Sequence, residues 1–224
     1  MTADDHETAF ASLLADLPAH AEGTSHWTSG CLDAHGDEAT VLLVESFLLW
    51  RTTPEHAQKA AKKLAAAVVD FNELRVCLPE EISEALGARF PDSAERAGRI
   101  RLTLNDVYQR EHVTSVASTV SMTKREAKAY LDGLDGCPPF VAARVALIGV
   151  GAHAFPVDER IGGLLELSGA LPAGVEPAQA AARLERQVRA GEALDAYLKL
   201  EAWTESPKPA KRSKPRKTAS KSGR

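Results

Sequence analysis

The sequence predicts an all-α protein of two helical lobes followed by a disordered basic tail. Three observations predict it. Apolar residues recur at helical spacing through almost the whole chain, no stretch alternates as a half-buried strand would, and the last seventeen residues offer nothing that could build a core. A chain of 224 residues with 44% hydrophobic content buries about 70% of its unfolded surface on folding. Residues 1–206 are therefore read as one domain, with one lobe from about 39–145 and the other from about 1–38 together with 146–206; residues 207–224 are the tail.

Each element has its own signal. The run ATVLLVESFLLW at 39–50 is apolar on nearly every side and predicts a central buried helix. Thr53-Pro54 is an N-cap followed by proline at the first helical position, opening a helix to about Phe71 with Ala57, Ala60, Leu64, Ala65 and Val68 inward. Pro79 and Pro91 bound a short helix around 80–86. A longer helix follows over about 93–112, with Ile100, Leu104, Val107 and Tyr108 on one face. Thr123 and Glu126 have the spacing of a capping box. That helix ends near 131–134, the turn LDGCPP follows, and a second helix runs over about 139–149. Asp158 opens another helix, and 177–200 supplies one or two more.

Composition narrows the setting. Cys31, Cys77 and Cys137 are an odd number without a close pair, which argues against a disulfide framework and leaves the thiols as small hydrophobes. The N-terminus MTADDHETAF is acidic, and no apolar run approaches the length needed to span a bilayer, so a cytoplasmic, nucleoid-associated protein with no membrane contact is expected. The net charge of −4 hides an asymmetry, because the tail holds eight basic residues, Lys211, Arg212 and Lys214 among them. Taking those 8 from the 27 Lys and Arg leaves 19 against 31 Asp and Glu, a net of −12 for residues 1–207. An acidic body counts against nucleic-acid binding, whereas the tail can clamp a polyanion by releasing counterions or serve as a solubilising extension.

The segment LDGLDGCPPFVAARVALIGVGAHAFPVDERIGGLL at 131–165 carries the chemistry. Two helices joined by a tight glycine turn present amides at the second helix's N-terminus, where a phosphate oxygen can bind. Such contacts grip a DNA backbone without reading its sequence. The same pattern also describes an ordinary helical hairpin whose glycine only supplies a positive φ. Asp158 is open in the same way: its carboxylate can stabilise the cationic sugar that develops as an N-glycosidic bond breaks, or simply cap the following helix.

These residues resemble the helix-hairpin-helix DNA glycosylases of the endonuclease III type. That family's hairpin reads LPGVGxK and is followed by VDxH, with the catalytic aspartate eighteen residues beyond the lysine. Here Leu134-Asp135-Gly136-Cys137-Pro138-Pro139-Phe140 occupies the hairpin and Val157-Asp158 the later motif, in the same register. Upstream, FLLWRTTPEHAQKAAKKL at 47–64 is similar to the family's LLSAQATDxxxNKAxxxL, with Thr53 and Lys59-Ala60 in matching places. The resemblance spans about residues 39–200.

The resemblance implies DNA contacts at Gly133, Gly136, Cys137, Phe140 and Arg51, with the tail's Lys211, Arg212 and Lys214 adding phosphate contacts, and Asp158 as the catalytic acid. It also implies a monovalent cation at the hairpin. The departures are informative. Phe140 replaces the lysine that forms a Schiff base, so lyase chemistry by that route is not expected. Pro138 deletes one hairpin amide, and Arg160 stands where the motif has histidine. Arg51 takes the place of a glutamine that fills the gap left by a flipped base; it can also be an ordinary helix-end residue. No cysteine follows Cys137, so the family's iron–sulfur cluster has no ligands and no metal centre is expected. His26-Trp27 beside Cys31 and Asp33 matches no ligand spacing and reads as loop packing.

The resulting expectation is a monomeric, cluster-free, monofunctional DNA glycosylase in which a damaged or mispaired base is flipped out of duplex DNA into a cleft between the lobes, with Asp158 at its mouth. The alternative is a non-catalytic DNA-binding or scaffold protein that kept the fold. A third reading has the tail docking a partner while the body binds no nucleic acid.

Overall fold

Side-chain caps set most of the helix starts. The computed structural model describes residues 2–18, 26–87 and 89–205, and among them are eleven α-helices and no strand. Helix α1 (Ala3–Asp16) opens on a capping box, Thr2 accepting the Asp5 N–H and Asp5 accepting that of Thr2. Asp37 caps α2 (Glu38–Leu49) through the Thr40 N–H, and Thr53 caps α3 (Pro54–Ala67) with proline at its first position. Then come α4 (Phe71–Val76), α5 (Pro79–Leu86) and α6 (Ser93–Glu111). A short 3-10 turn at Ala117–Ser121 leads to α7 (Lys124–Asp132), which opens on the Thr123–Glu126 capping box. The rest are α8 (Pro139–Val150), α9 (Glu159–Leu167), α10 (Pro177–Gln187) and α11 (Ala193–Glu205).

The all-helical class and the hairpin are as expected, while several details differ. Helix α3 stops at Ala67 rather than near Phe71, because Asp70 takes the Glu73 N–H at 2.7 Å and starts a separate helix, α4. Tyr108 does not face inward with Val107 but is 39% exposed, its ring beneath the Arg75 guanidinium at 3.9 Å. One residue is a rotation of about 100° on a helix, enough to carry it off the buried stripe. The N-terminal helix α1 was not expected; it buries Phe10 and Leu13. The cysteines are half-buried and pack against the core. Residues Lys211, Arg212 and Lys214 lie outside the described residues.

Helix α2 is buried along almost its whole length and packs against α3, α6 and α8, with α7 against α8 and α6 against α4 and α5. Helix α1 lies on α11, which touches α8, so the first and last described helices join one continuous core. None of these helices is long and apolar enough to cross a membrane.

A charged network fastens these parts together. Arg144 on α8 is fully buried and donates to Glu201 Oε1 at 3.2 Å, the Tyr197 hydroxyl at 3.2 Å, Ser46 Oγ at 3.1 Å and the Trp27 carbonyl at 2.7 Å. Glu201 in turn accepts the Trp27 N–H at 2.9 Å. Glu45, also buried, accepts the Ser29 N–H at 2.6 Å. Every partner of Arg144 is polar and correctly directed, which is the condition for keeping a charge out of water. Glu201→Gln leaves that guanidinium without its counter-charge and is expected to cost about 3–5 kcal/mol. The apolar double replacement Arg144→Met with Glu201→Leu should recover much of the loss, which urea unfolding of the three proteins will measure.

Candidate functional site

The hairpin between α7 and α8 is held from one side by α6. Its turn closes through the Cys137 N–H on the Leu134 carbonyl at 3.2 Å, with Gly136 at φ +75°. The Asp135 N–H donates to Asp106 Oδ2 at 2.9 Å, and the Asp135 carbonyl accepts Thr103 Oγ1 at 2.8 Å. Two guanidinium groups complete the hold, Arg99 on the Gly136 carbonyl at 3.3 Å and Arg110 on the Gly133 carbonyl at 2.6 Å. Sequence reasoning missed all four α6 residues. Three of them, Arg99, Asp106 and Arg110, stand in the i,i+4 pairs Glu95–Arg99 and Asp106–Arg110 along that helix, while Thr103 carries no such signal.

The hairpin residues separate by role. Gly133 is exposed and Gly136 and Cys137 are half-exposed, but the Gly133 and Cys137 N–H groups and the Gly133 and Gly136 carbonyls are already paired within the protein. Phe140 is 2% exposed, which removes its side chain from the surface where a DNA contact was expected. It is turned into the core because α8 presents an almost continuous apolar surface to α2 and α7. Burial pushes the Cys137 thiol far above its ordinary range, leaving a weak nucleophile. Pro138 and Pro139 start α8, so the first helical amides are those of Phe140 and Val141, and no side chain caps them.

The two glycines are not equivalent. A Cβ on either would lie 3.2 Å from a backbone carbonyl, but on Gly136 it would also lie 3.0 Å from a Leu102 methyl at a φ that L-residues resist, whereas Gly133 has an ordinary φ of −93°. Gly136→Ala is expected to destabilise the fold by about 1–3 kcal/mol. Gly133→Ala should stay within about 1 kcal/mol of the parent in the same thermal unfolding assay.

Asp158 stands at the N-terminus of α9 and is 2% exposed. Its Oδ1 accepts the Ile161 N–H at 2.8 Å and its Oδ2 the Arg51 N–H at 2.6 Å. An ionised carboxylate has about four acceptor positions, so two remain. Asp158 lines a crevice of about 10 Å³ together with Leu49, Pro54, Phe140, Tyr197 and Glu201 among others, space for roughly one water. Asp158 is therefore not at the mouth of an open cleft, as the sequence reading had it. The two amides that hold its oxygens, one from α9 and one from the α2–α3 joint, draw it inward.

Burial raises the Asp158 pKa above 3.8, against the lowering effect of the Ile161 and Arg51 amides. A raised folded-state pKa contributes stability that is full below pH 3.8 and lost as pH rises through the folded value. The advantage of the parent over Asp158→Asn should thus be largest near the acid end and shrink toward neutrality, in urea unfolding from about pH 3.5 to 7.

Arg51 and Arg160 flank the acid and point elsewhere. Arg160 donates to Thr204 Oγ1 at 3.0 Å and to the Thr204 carbonyl. Arg51 lies over the Trp50 ring at 4.6 Å and reaches Glu95 at 3.1 Å, Glu159 at 3.2 Å and Asp92 at 3.7 Å. Among the described residues no group of three His, Cys, Asp or Glu could hold a metal. The backbone of Trp27 belongs to the Arg144 network.

Solved structures place this arrangement among known folds. A DNA complex of endonuclease III, trapped as a covalent intermediate, superposes with a TM-score of 0.60 at 16% identity, covering 88% of this chain and 82% of that one. The chain has the helix-hairpin-helix DNA glycosylase fold. A thermostable thymine-DNA glycosylase matches with a TM-score of 0.57 at 19% identity, over 88% of this chain and 83% of the other. The 8-oxoguanine glycosylase/lyase of Clostridium acetobutylicum gives 0.60 at 13% identity, over 92% and 71%. No family model matches the sequence, and no curated protein matches it. Within the glycosylase fold, the hairpin helix α8 and the acid eighteen residues on converge, since Phe140 and Asp158 line one crevice.

Proposed function

We propose that this protein binds duplex DNA through the α7–α8 hairpin and hydrolyses the N-glycosidic bond of a flipped, damaged or mispaired base, with Asp158 as the acid and without strand cleavage. The observation that carries the reading is the convergence of Phe140 and Asp158 on one crevice. It joins the strand-gripping hairpin to a fixed carboxylate with unused lone pairs. In this reading Asp158 stabilises the cationic sugar or orients the attacking water. Phe140 offers no amine to attack the sugar, which supports hydrolysis rather than Schiff-base chemistry. A monovalent cation at the hairpin, as an aid to phosphate binding, belongs to this proposal and would have to share the Gly133, Asp135 and Gly136 carbonyls with their donors on α6.

The size of the crevice favours a second reading. About 10 Å³ holds no nucleobase, and ligand pockets are typically about 300–1,000 Å³. A glycosylase must open the joint around Arg51 to admit its substrate; a protein that only binds DNA need not. Incubation with duplexes carrying uracil, hypoxanthine, 8-oxoguanine or thymine mispairs, followed by alkali, separates the two. Base release that is reduced at least about 100-fold in Asp158→Asn supports catalysis. Binding without release on any substrate supports the second reading, and a borohydride-trapped adduct would overturn the assignment of hydrolysis without lyase chemistry.

A further inference from the structure

Arg51 is held in an unusual way. It is one of three non-glycine residues with positive φ among those described, at +60°, and its ion-pair partner Asp92 is another, at +51°. Its guanidinium meets three carboxylates, Asp92, Glu95 and Glu159, where one would neutralise it. The arginine side chain is still 28% exposed and the acids more so, so water screens each pair and an incoming ligand can reach the cation. Meanwhile the Arg51 N–H is fixed on Asp158. The Arg51 backbone is thus tied to Asp158 while its guanidinium stays at the surface beside it.

We propose that Arg51 is a phosphate ligand stored against Asp92, Glu95 and Glu159, and that a DNA strand engages it by exchanging these carboxylates for a phosphate. This rests on the DNA-binding reading above. The planar guanidinium fork binds a phosphate through two parallel N–H bonds, stronger than its single contacts with exposed acids. In the free protein the acids keep Arg51 over Trp50, so the cation is in place before DNA arrives.

The test is a cycle of four proteins measured for binding to a short labelled duplex by anisotropy: the parent, Arg51→Ala, Asp92→Asn with Glu159→Gln, and all three changes together. Glu95 is left intact because it also holds Arg99. Asparagine tolerates the left-handed backbone at position 92, and circular dichroism will verify that each variant folds. Freeing Arg51 should tighten binding about three- to tenfold. The same two substitutions should change affinity less than about twofold when Arg51 is alanine, and Arg51→Ala alone should weaken binding. An equal gain with and without Arg51 would mean that the acids merely repel DNA and would overturn the stored-ligand proposal alone. So would no gain in the presence of Arg51, or an Arg51→Ala protein that binds as well as the parent. Failure of all four to bind duplex would overturn the DNA reading and this proposal together.

Discussion

The fold depends on keeping one guanidinium satisfied out of water. Arg144 sits on α8, yet its partners come from the segment before α2, from α2 itself and from α11, so a single side chain fixes regions far apart in sequence. The desolvation of such a charge is repaid only if all partners are present with good geometry. That makes the arrangement close to all-or-none. Apolar packing is permissive about register, whereas directed hydrogen bonds are not, so the network specifies which faces of α2, α8 and α11 meet.

Helix α8 carries both this anchor and the hairpin. Its N-terminal end joins the turn held by Arg99, Thr103, Asp106 and Arg110, and a turn later Arg144 secures it to the core. The uncapped first amides of α8 thus sit on a backbone fixed at both sides. That suits the proposed recognition of a DNA backbone, where rigidly placed donors lose little freedom on binding. The acid site is built on the same economy of elements: Asp158 ties the start of α9 to the joint between α2 and α3 through two amides.

Much of this was legible from residue order. Capping signals at Thr53, Thr123 and Asp158 mark real helix starts, and the apolar run at 39–50 is the buried helix α2. Such signals are local, and local rules suffice to read them. The hairpin-to-acid spacing likewise locates two residues that line one crevice. What could not be read depends on contacts across the chain. Nothing around Arg144 announces a buried cation, because its partners lie at positions 27, 46, 197 and 201. The inward turn of Asp158 and the enclosure of Arg51 arise from amides and carboxylates brought together only by folding. Asp70 could have been recognised, since it heads a D-x-x-E pattern like the T-x-x-E at Thr123, but the preceding alanine-rich run masked it.

The bond between Arg160 and Thr204 has a practical meaning for anyone trimming this molecule. Thr204 is in the final turn of α11, and Arg160 is two positions past the acid on α9, so the far end of the last helix braces the neighbourhood of Asp158. A shortened version that ends inside α11 loses a strut beside the crevice even though it deletes no residue lining the hairpin. The smallest unit worth studying therefore extends past position 204, and a fusion partner attached before it would be grafted onto part of the site's own scaffold.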